Sequence, residues 1–144
     1  MNAFLDLPNA SPGEADVILL PLPFEGTVSY GRGTARGPAA ILDASRQVET
    51  FDEETGCELD KLTYCWADEV HPVEGQGADL YLDKVLQTAA SAHGQRGFVI
   101  GVGGEHSVTA PLAEAASGSA DLSDLTVVQF DAHADLRESY EGSE

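Results

Sequence analysis

In the stretch TVVQFDAHADLR, residues 126–137, Asp131, His133 and Asp135 have the types and spacing of metal ligands. Carboxylate, imidazole and carboxylate alternate directly after the apolar run Val127-Val128-Gln129-Phe130. Alternate side chains of a strand share a face, so the three converge if the extended geometry persists. On a helix Asp131 and Asp135 would share a face and His133 would not. A second stretch, VIGVGGEHSVT, has the same character: Gly103 and Gly104 close an apolar run, and Glu105 and His106 follow. The glycines let the backbone turn tightly and bring a ligand close to a neighbour. If the two strands are adjacent, His106 joins the other three. Two imidazoles and two carboxylates without a thiolate suit manganese, iron or zinc, and the carboxylates favour manganese. A carboxylate can also bridge two metals about 3.5–4 Å apart, as in two-metal hydrolytic sites. Taken singly, each residue has a plainer role, such as a solvated loop histidine or a helix-capping aspartate. Glu105 is expected near a helix N-terminus, where its charge is favourable, and is not counted as a ligand.

These residues need strand ends to present them, and the rest of the chain supplies strands and helices in alternation. ADVILLPLPF (15–24) reads as a strand buried on both faces, closed by prolines. GTVSYGRGTARGP follows as a long glycine-rich loop; lacking Gly-Lys-Ser/Thr, it is not a phosphate loop. Thr27, Ser29 and Tyr30 are read as structural parts of it, with lining a pocket as the alternative. Pro38 suits a helix's first turn, and PAAILDASRQVETF continues with helical spacing. FDEETGCELD is turn-like, and KLTYCWADEV (61–70) is a second strand candidate with Cys65 and Trp66 in the core. ADLYLDKVLQTAASAHG is the clearest helix, with Leu82, Leu86 and Ala89-Ala90 on one face and Gly94 as a stop. GFVIGVGG is a third strand, SVTAPLAEAASG a helix capped near Ser107 or Thr109 with Pro111 in its first turn, and LTVVQF a fourth strand. His71 is expected to be exposed in a loop, and His93 to sit at a helix end. The alternation predicts an α/β fold with a mainly parallel sheet covered on both faces. DLRESYEGSE follows the fourth strand as a polar loop, an unusual finish for a complete domain, so a fragment is expected.

Composition narrows the partners. The chain has 144 residues, 42% hydrophobic and 22% charged, which suits one soluble globular domain. No apolar run approaches the ~20 residues of a membrane span. MNAFLDLPNASPGEAD has no basic region ahead of an apolar core, so no signal peptide is expected. Cys57 and Cys65 are too few for a disulfide framework and lack zinc spacing, which points to reduced thiols in a cytoplasmic protein. The net charge is −18, from 25 acidic and 7 basic residues, and it disfavours nucleic acid and anionic membranes. Most of the carboxylates, such as Asp52-Glu53-Glu54, are read as solvated surface. Lys61 and Lys84 are the only lysines, and an acid-rich, high-salt proteome is one cause of such a balance.

GGEHSVT (103–109) together with FDAHAD (130–135) resembles the ureohydrolase family of arginases, agmatinases and related guanidino-hydrolysing enzymes. PLPFEGTVSYGRGTARGPAAILDAS (21–45), continued by QVETFDEETG, is similar to the N-terminal block of agmatinases in particular. The resemblance implies a three-layer α/β/α, arginase-like fold, truncated here after about the fourth strand, so that residues 1–144 form the N-terminal part of one catalytic domain. It implies two manganese ions in the intact protein. His106 would bind one, Asp131 would bridge both, His133 would bind the second, and Asp135 would bind the first and touch the bridging hydroxide. In the family that hydroxide attacks the guanidinium carbon, urea and an amine are released, and the aspartate matching Asp135 is a candidate proton shuttle. The family's later carboxylate ligands and an active-site histidine have no counterpart in the chain, which implies that residues 1–144 alone are inactive.

Glu105 stands where many members have Asp. Leu136 and Arg137 stand where arginases carry a carboxylate-holding asparagine, which favours agmatine over L-arginine. The implied substrate is a small cationic guanidino compound, and the intact protein is expected to be a homo-oligomer. Arginase or guanidinobutyrase activity is the alternative within the family. A zinc amide deacetylase on a related fold and a non-catalytic fragment are the alternatives outside it.

Overall fold

The structure, a computed structural model of the chain, describes residues 3–118 and 122–133. Its centre is β1, Val17–Leu22, whose residues are almost all buried. β1 pairs in parallel with β4, Tyr64–Trp66, on one side and with β5, Phe98–Gly103, on the other, in the order β4-β1-β5. A central parallel strand needs apolar residues on both faces, which explains the unbroken VILLPL. Leu20 and Leu22 pack with Tyr81, Val85, Ala89, Val108 and Ala115 on one face, while Leu19 packs with Leu5, Tyr64, Trp66 and Val102 on the other. α2, Ala78–His93, and α3, Thr109–Ser117, cover the first face. α1, Gly37–Ala44, and the 3-10 turn Phe4–Asp6 cover the second. The result is the expected three-layer α/β/α arrangement on a parallel sheet.

Within that plan several elements differ from the reading of the sequence. The helix beginning near Pro38 ends at Ala44 and gives way to a 3-10 turn, Ser45–Gln47. Ser45 is buried there: its hydroxyl accepts the Leu5 N–H (3.1 Å) and donates to the Leu42 carbonyl (2.7 Å), tying α1 to the N-terminal segment. The polar FDEETGCELD forms a small antiparallel hairpin, β2 (Phe51–Asp52) with β3 (Cys57–Glu58). Asp52 organises its turn by accepting the Glu54 N–H and the Thr55 hydroxyl, and Gly56 takes the positive φ of 67°. On α2 the fully buried residues are Tyr81, Val85 and Ala89, with Leu82 and Leu86 at the margin. The aromatic ring of Tyr81 stacks on Phe24 at 4.2 Å and rotates the buried stripe toward itself.

The largest difference concerns the fourth strand. Residues 125–130 carry no strand pairing, and Val127, Val128 and Phe130 are exposed, Phe130 at 98%. An apolar run becomes a strand only where a neighbour supplies hydrogen bonds, and sequence order does not fix which edge of a parallel sheet a strand joins. Among the described residues, β5 pairs with β1 alone. Trp66 and Cys65 are buried as expected, and both cysteines are free thiols. No helix among the described residues is long and apolar enough to cross a membrane.

Candidate metal centre

β1 and β5 finish side by side, and their ends build the platform for His106. The Gly104 N–H donates to the Leu22 carbonyl (3.1 Å), and the Glu105 N–H to the Phe24 carbonyl (3.0 Å). This approach is so close that a methyl on Gly104 would lie 2.1 Å from the Phe24 carbonyl oxygen. The chain then turns into a short 3-10 segment, His106–Val108, that leads into α3. His106 is thereby presented, half exposed, at the carboxyl end of the sheet, where open parallel sheets form their sites.

Asp131 stands between two imidazoles. Its Oδ2 lies 3.8 Å from His106 Nδ1, and its Oδ1 lies 3.7 Å from His133 Nδ1. The structure thus brings together three of the four residues expected from the sequence. Asp135, with Leu136 and Arg137, lies outside the described residues. Asp131 and His133 meet through a turn instead of a persisting strand: Asp131 Oδ1 accepts the His133 backbone N–H at 2.8 Å, two residues on. That hydrogen bond is the first cause holding the Asp131 carboxyl below the ordinary carboxylate value. A hydrogen bond from Gln129 and the charges of His133 and His106 act in the same direction, against partial desolvation. Asp131 is therefore an ionised acceptor with one oxygen turned to each imidazole.

The donor types fit a borderline or hard divalent metal. Donors about 2.1 Å from a shared ion stand roughly 3–4 Å apart, and both nitrogen–oxygen separations fall in that range. Each imidazole faces a different oxygen of the carboxylate. Among the described residues no group of three His, Cys, Asp or Glu side chains closes around a single point. The other histidines stand apart from these three: His71 is exposed and pairs with Glu69 (3.2 Å), and His93 is exposed in the last turn of α2.

The reading of the sequence missed two carboxylates that organise the glycine-rich loop. Glu105, placed near a helix start by the sequence, is 9% exposed. Its Oε2 accepts the Thr27 N–H (3.0 Å), while its Oε1 accepts the hydroxyls of Thr27 and of Ser107, the latter at 2.7 Å. Glu25 accepts the N–H groups of Gly33 (2.7 Å) and Ala35 (3.2 Å), and these bonds hold its carboxyl below the ordinary value. Loop carboxylates flanked by glycines and hydroxyl residues were the available signal. Tyr30, at the tip between the two anchors, is 98% exposed.

Comparison with known proteins gives this arrangement its context. Residues 15–144 match the family model described as "Arginase family". The chain belongs to the arginase family. It is 35% identical over 138 residues to the N(1)-aminopropylagmatine ureohydrolase of Synechocystis, covering 92% of this chain and 44% of that protein. It is 34% identical to the agmatinase of Bacillus anthracis, covering 90% and 43%. In three dimensions it matches the agmatine ureohydrolase of Thermoplasma volcanium with a TM-score of 0.82 and 26% identity, over 99% of this chain and 46% of that one. This arginase-family chain therefore spans less than half the length of the relatives it matches.

Proposed function

We propose that the protein carrying this chain hydrolyses a guanidino compound to urea and an amine, with agmatine as substrate and putrescine as product, at a manganese centre held by His106, Asp131, His133 and Asp135. The observation that carries the reading is Asp131, ionised, with one oxygen toward His106 and the other toward His133. When bound, a divalent metal pair supplies Lewis acidity toward water and toward developing charge. The chain's own residues divide the remaining work. His106, His133 and Asp131 would supply donors to that metal. Asp135 carries the proton that water gives up and delivers it to the leaving amine. The balance is one guanidinium and one water in, one urea and one ammonium out. On this reading the described layers are the N-terminal part of a single catalytic domain, in keeping with the 43–47% of each relative that the chain covers.

The net charge of −18 supports a cationic substrate over nucleic acid. The two free thiols support a cytoplasmic setting. A second substrate has support of its own: a relative from Thermus thermophilus, 37% identical, is an N(1)-aminopropylagmatine ureohydrolase. Urea release from agmatine, N(1)-aminopropylagmatine, guanidinobutyrate and L-arginine, with added manganese, tests the reading. Agmatine is expected to be turned over well ahead of L-arginine. Preference for N(1)-aminopropylagmatine would keep the reaction and change the substrate. Equal turnover of L-arginine, or urea from none of the four, would overturn the proposal.

A further inference from the structure

We propose that Glu105 is a positioning residue: its buried carboxylate latches the glycine-rich loop to the strand end that presents His106, and so makes the loop a fixed wall of the candidate centre. Three donors reach this carboxylate, two from Thr27 in the loop and one from Ser107 beside His106. One side chain therefore ties the loop to the segment carrying the first proposed ligand. The attachment is rigid at its base. The Glu105 N–H is bonded to the Phe24 carbonyl, and Gly104 is packed against the same backbone. The ring of Phe24 lies directly beneath Gly26, where a methyl would stand 2.4 Å from it. Glu25 fastens the far end of the loop through Gly33 and Ala35. Between the two anchors the tip is free of the core, with Tyr30 exposed and Gly31 and Gly33 at positive φ. Without Glu105 the near end would lose its attachment to β5 while the far end stayed held. A buried carboxylate with hydroxyl and amide donors is a strong local fastener, because hydrogen bonds to a charged group exceed neutral ones.

The role as a wall rests on the metal-centre reading; the latch does not, and it can be measured without metal or substrate. Trypsin cleavage after Arg32, exposed in the loop between the two anchors, reports loop release, and cleavage after Lys84, inside α2, reports general opening. Thr27→Val removes one of the loop's two bonds to Glu105, and cleavage after Arg32 is expected to rise about tenfold while cleavage after Lys84 and the thermal midpoint hold. Thr27→Ser, which keeps the hydroxyl, is expected to restore the parent rate, and Glu105→Gln to behave like Thr27→Val. If Glu105→Gln does not fold, the Thr27 pair decides. Equal loop cleavage in Thr27→Val and the parent chain would overturn the latch, as would parallel increases at Lys84. Where urea release is measurable, Thr27→Val is expected to raise KM several-fold with little change in kcat. A fall in kcat at constant KM would overturn the wall. An absence of urea from the unsubstituted intact protein carrying this chain would instead count against the proposed function.

Discussion

Gly104→Ala is expected to destabilise the chain by roughly 2–4 kcal/mol through sterics at one strand junction. The added methyl would lie 2.1 Å from the Phe24 carbonyl oxygen, 2.6 Å from the Phe24 nitrogen and 2.9 Å from the Leu22 carbonyl oxygen. A relaxed carbon–oxygen contact is about 3.3 Å or more, so the strand ends must part by about 1 Å. All three obstacles are backbone, and none can swing aside. Parting the strands breaks the bonds from the Gly104 N–H to Leu22 and from the Glu105 N–H to Phe24. Each is worth about 0.5–1.5 kcal/mol net, and more where a buried group is left unpaired. Against a typical domain stability of about 5–15 kcal/mol the loss is large. The assay is urea denaturation followed by circular dichroism, with Gly13→Ala as control. Gly13 is exposed in a turn, and a methyl there would meet only the Gln95 side-chain oxygen at an ordinary 3.7 Å, so its change should stay within about 0.5 kcal/mol. If Gly104→Ala fell within the same margin of about 0.5 kcal/mol, the junction would be more yielding than its geometry requires, and the account of how His106 is presented would fail with it.

His133→Ala is expected to weaken manganese binding at least about tenfold in calorimetric titration, and His71→Ala to leave it unchanged, because of these two only His133 faces Asp131. The reverse order would show that the site is drawn in the wrong place. Asp16 is held below the ordinary carboxylate value first by the Thr63 N–H and hydroxyl and then by Arg96. A depressed folded-state value contributes stability above the unfolded value and loses it as pH falls through the folded one. Asp16→Asn should therefore lower stability at pH 7 and reduce its further loss below about pH 4, with acid titration of the melting midpoint as the measurement. An unchanged acid profile would contradict this. Raising sodium chloride from about 0.1 to 1 M shortens the screening length from about 10 to 3 Å and should raise the melting midpoint of a chain of charge −18. A lower midpoint in salt would mean that specific ion pairs outweigh self-repulsion.

The alternation of apolar runs with amphipathic segments was enough to place β1, β4, β5 and α2 within a few residues, because a parallel strand covered on both faces leaves an unbroken apolar signature. The motifs GGEH and DAHAD likewise singled out His106, Asp131 and His133 by side-chain type, and the structure brings these three near one another. Tertiary structure decided the rest. It ended α1 at Ala44, where the Ser45 hydroxyl found Leu5 and Leu42. It turned α2 so that Tyr81 met Phe24. It left residues 125–130 unpaired, because a strand's partner is a property of the sheet and not of the run itself. Asp131 and His133 meet through a turn that one side chain closes on the backbone two residues on, which alternation alone does not anticipate. Glu105 shows the division most clearly. A glutamate beside a histidine reads as surface or cap, and only the approach of Thr27, 78 positions earlier, makes it a buried acceptor. Local pattern determines what a residue can do. Its partners across the fold determine what it does, because burial and hydrogen-bond geometry are set by segments far apart in sequence.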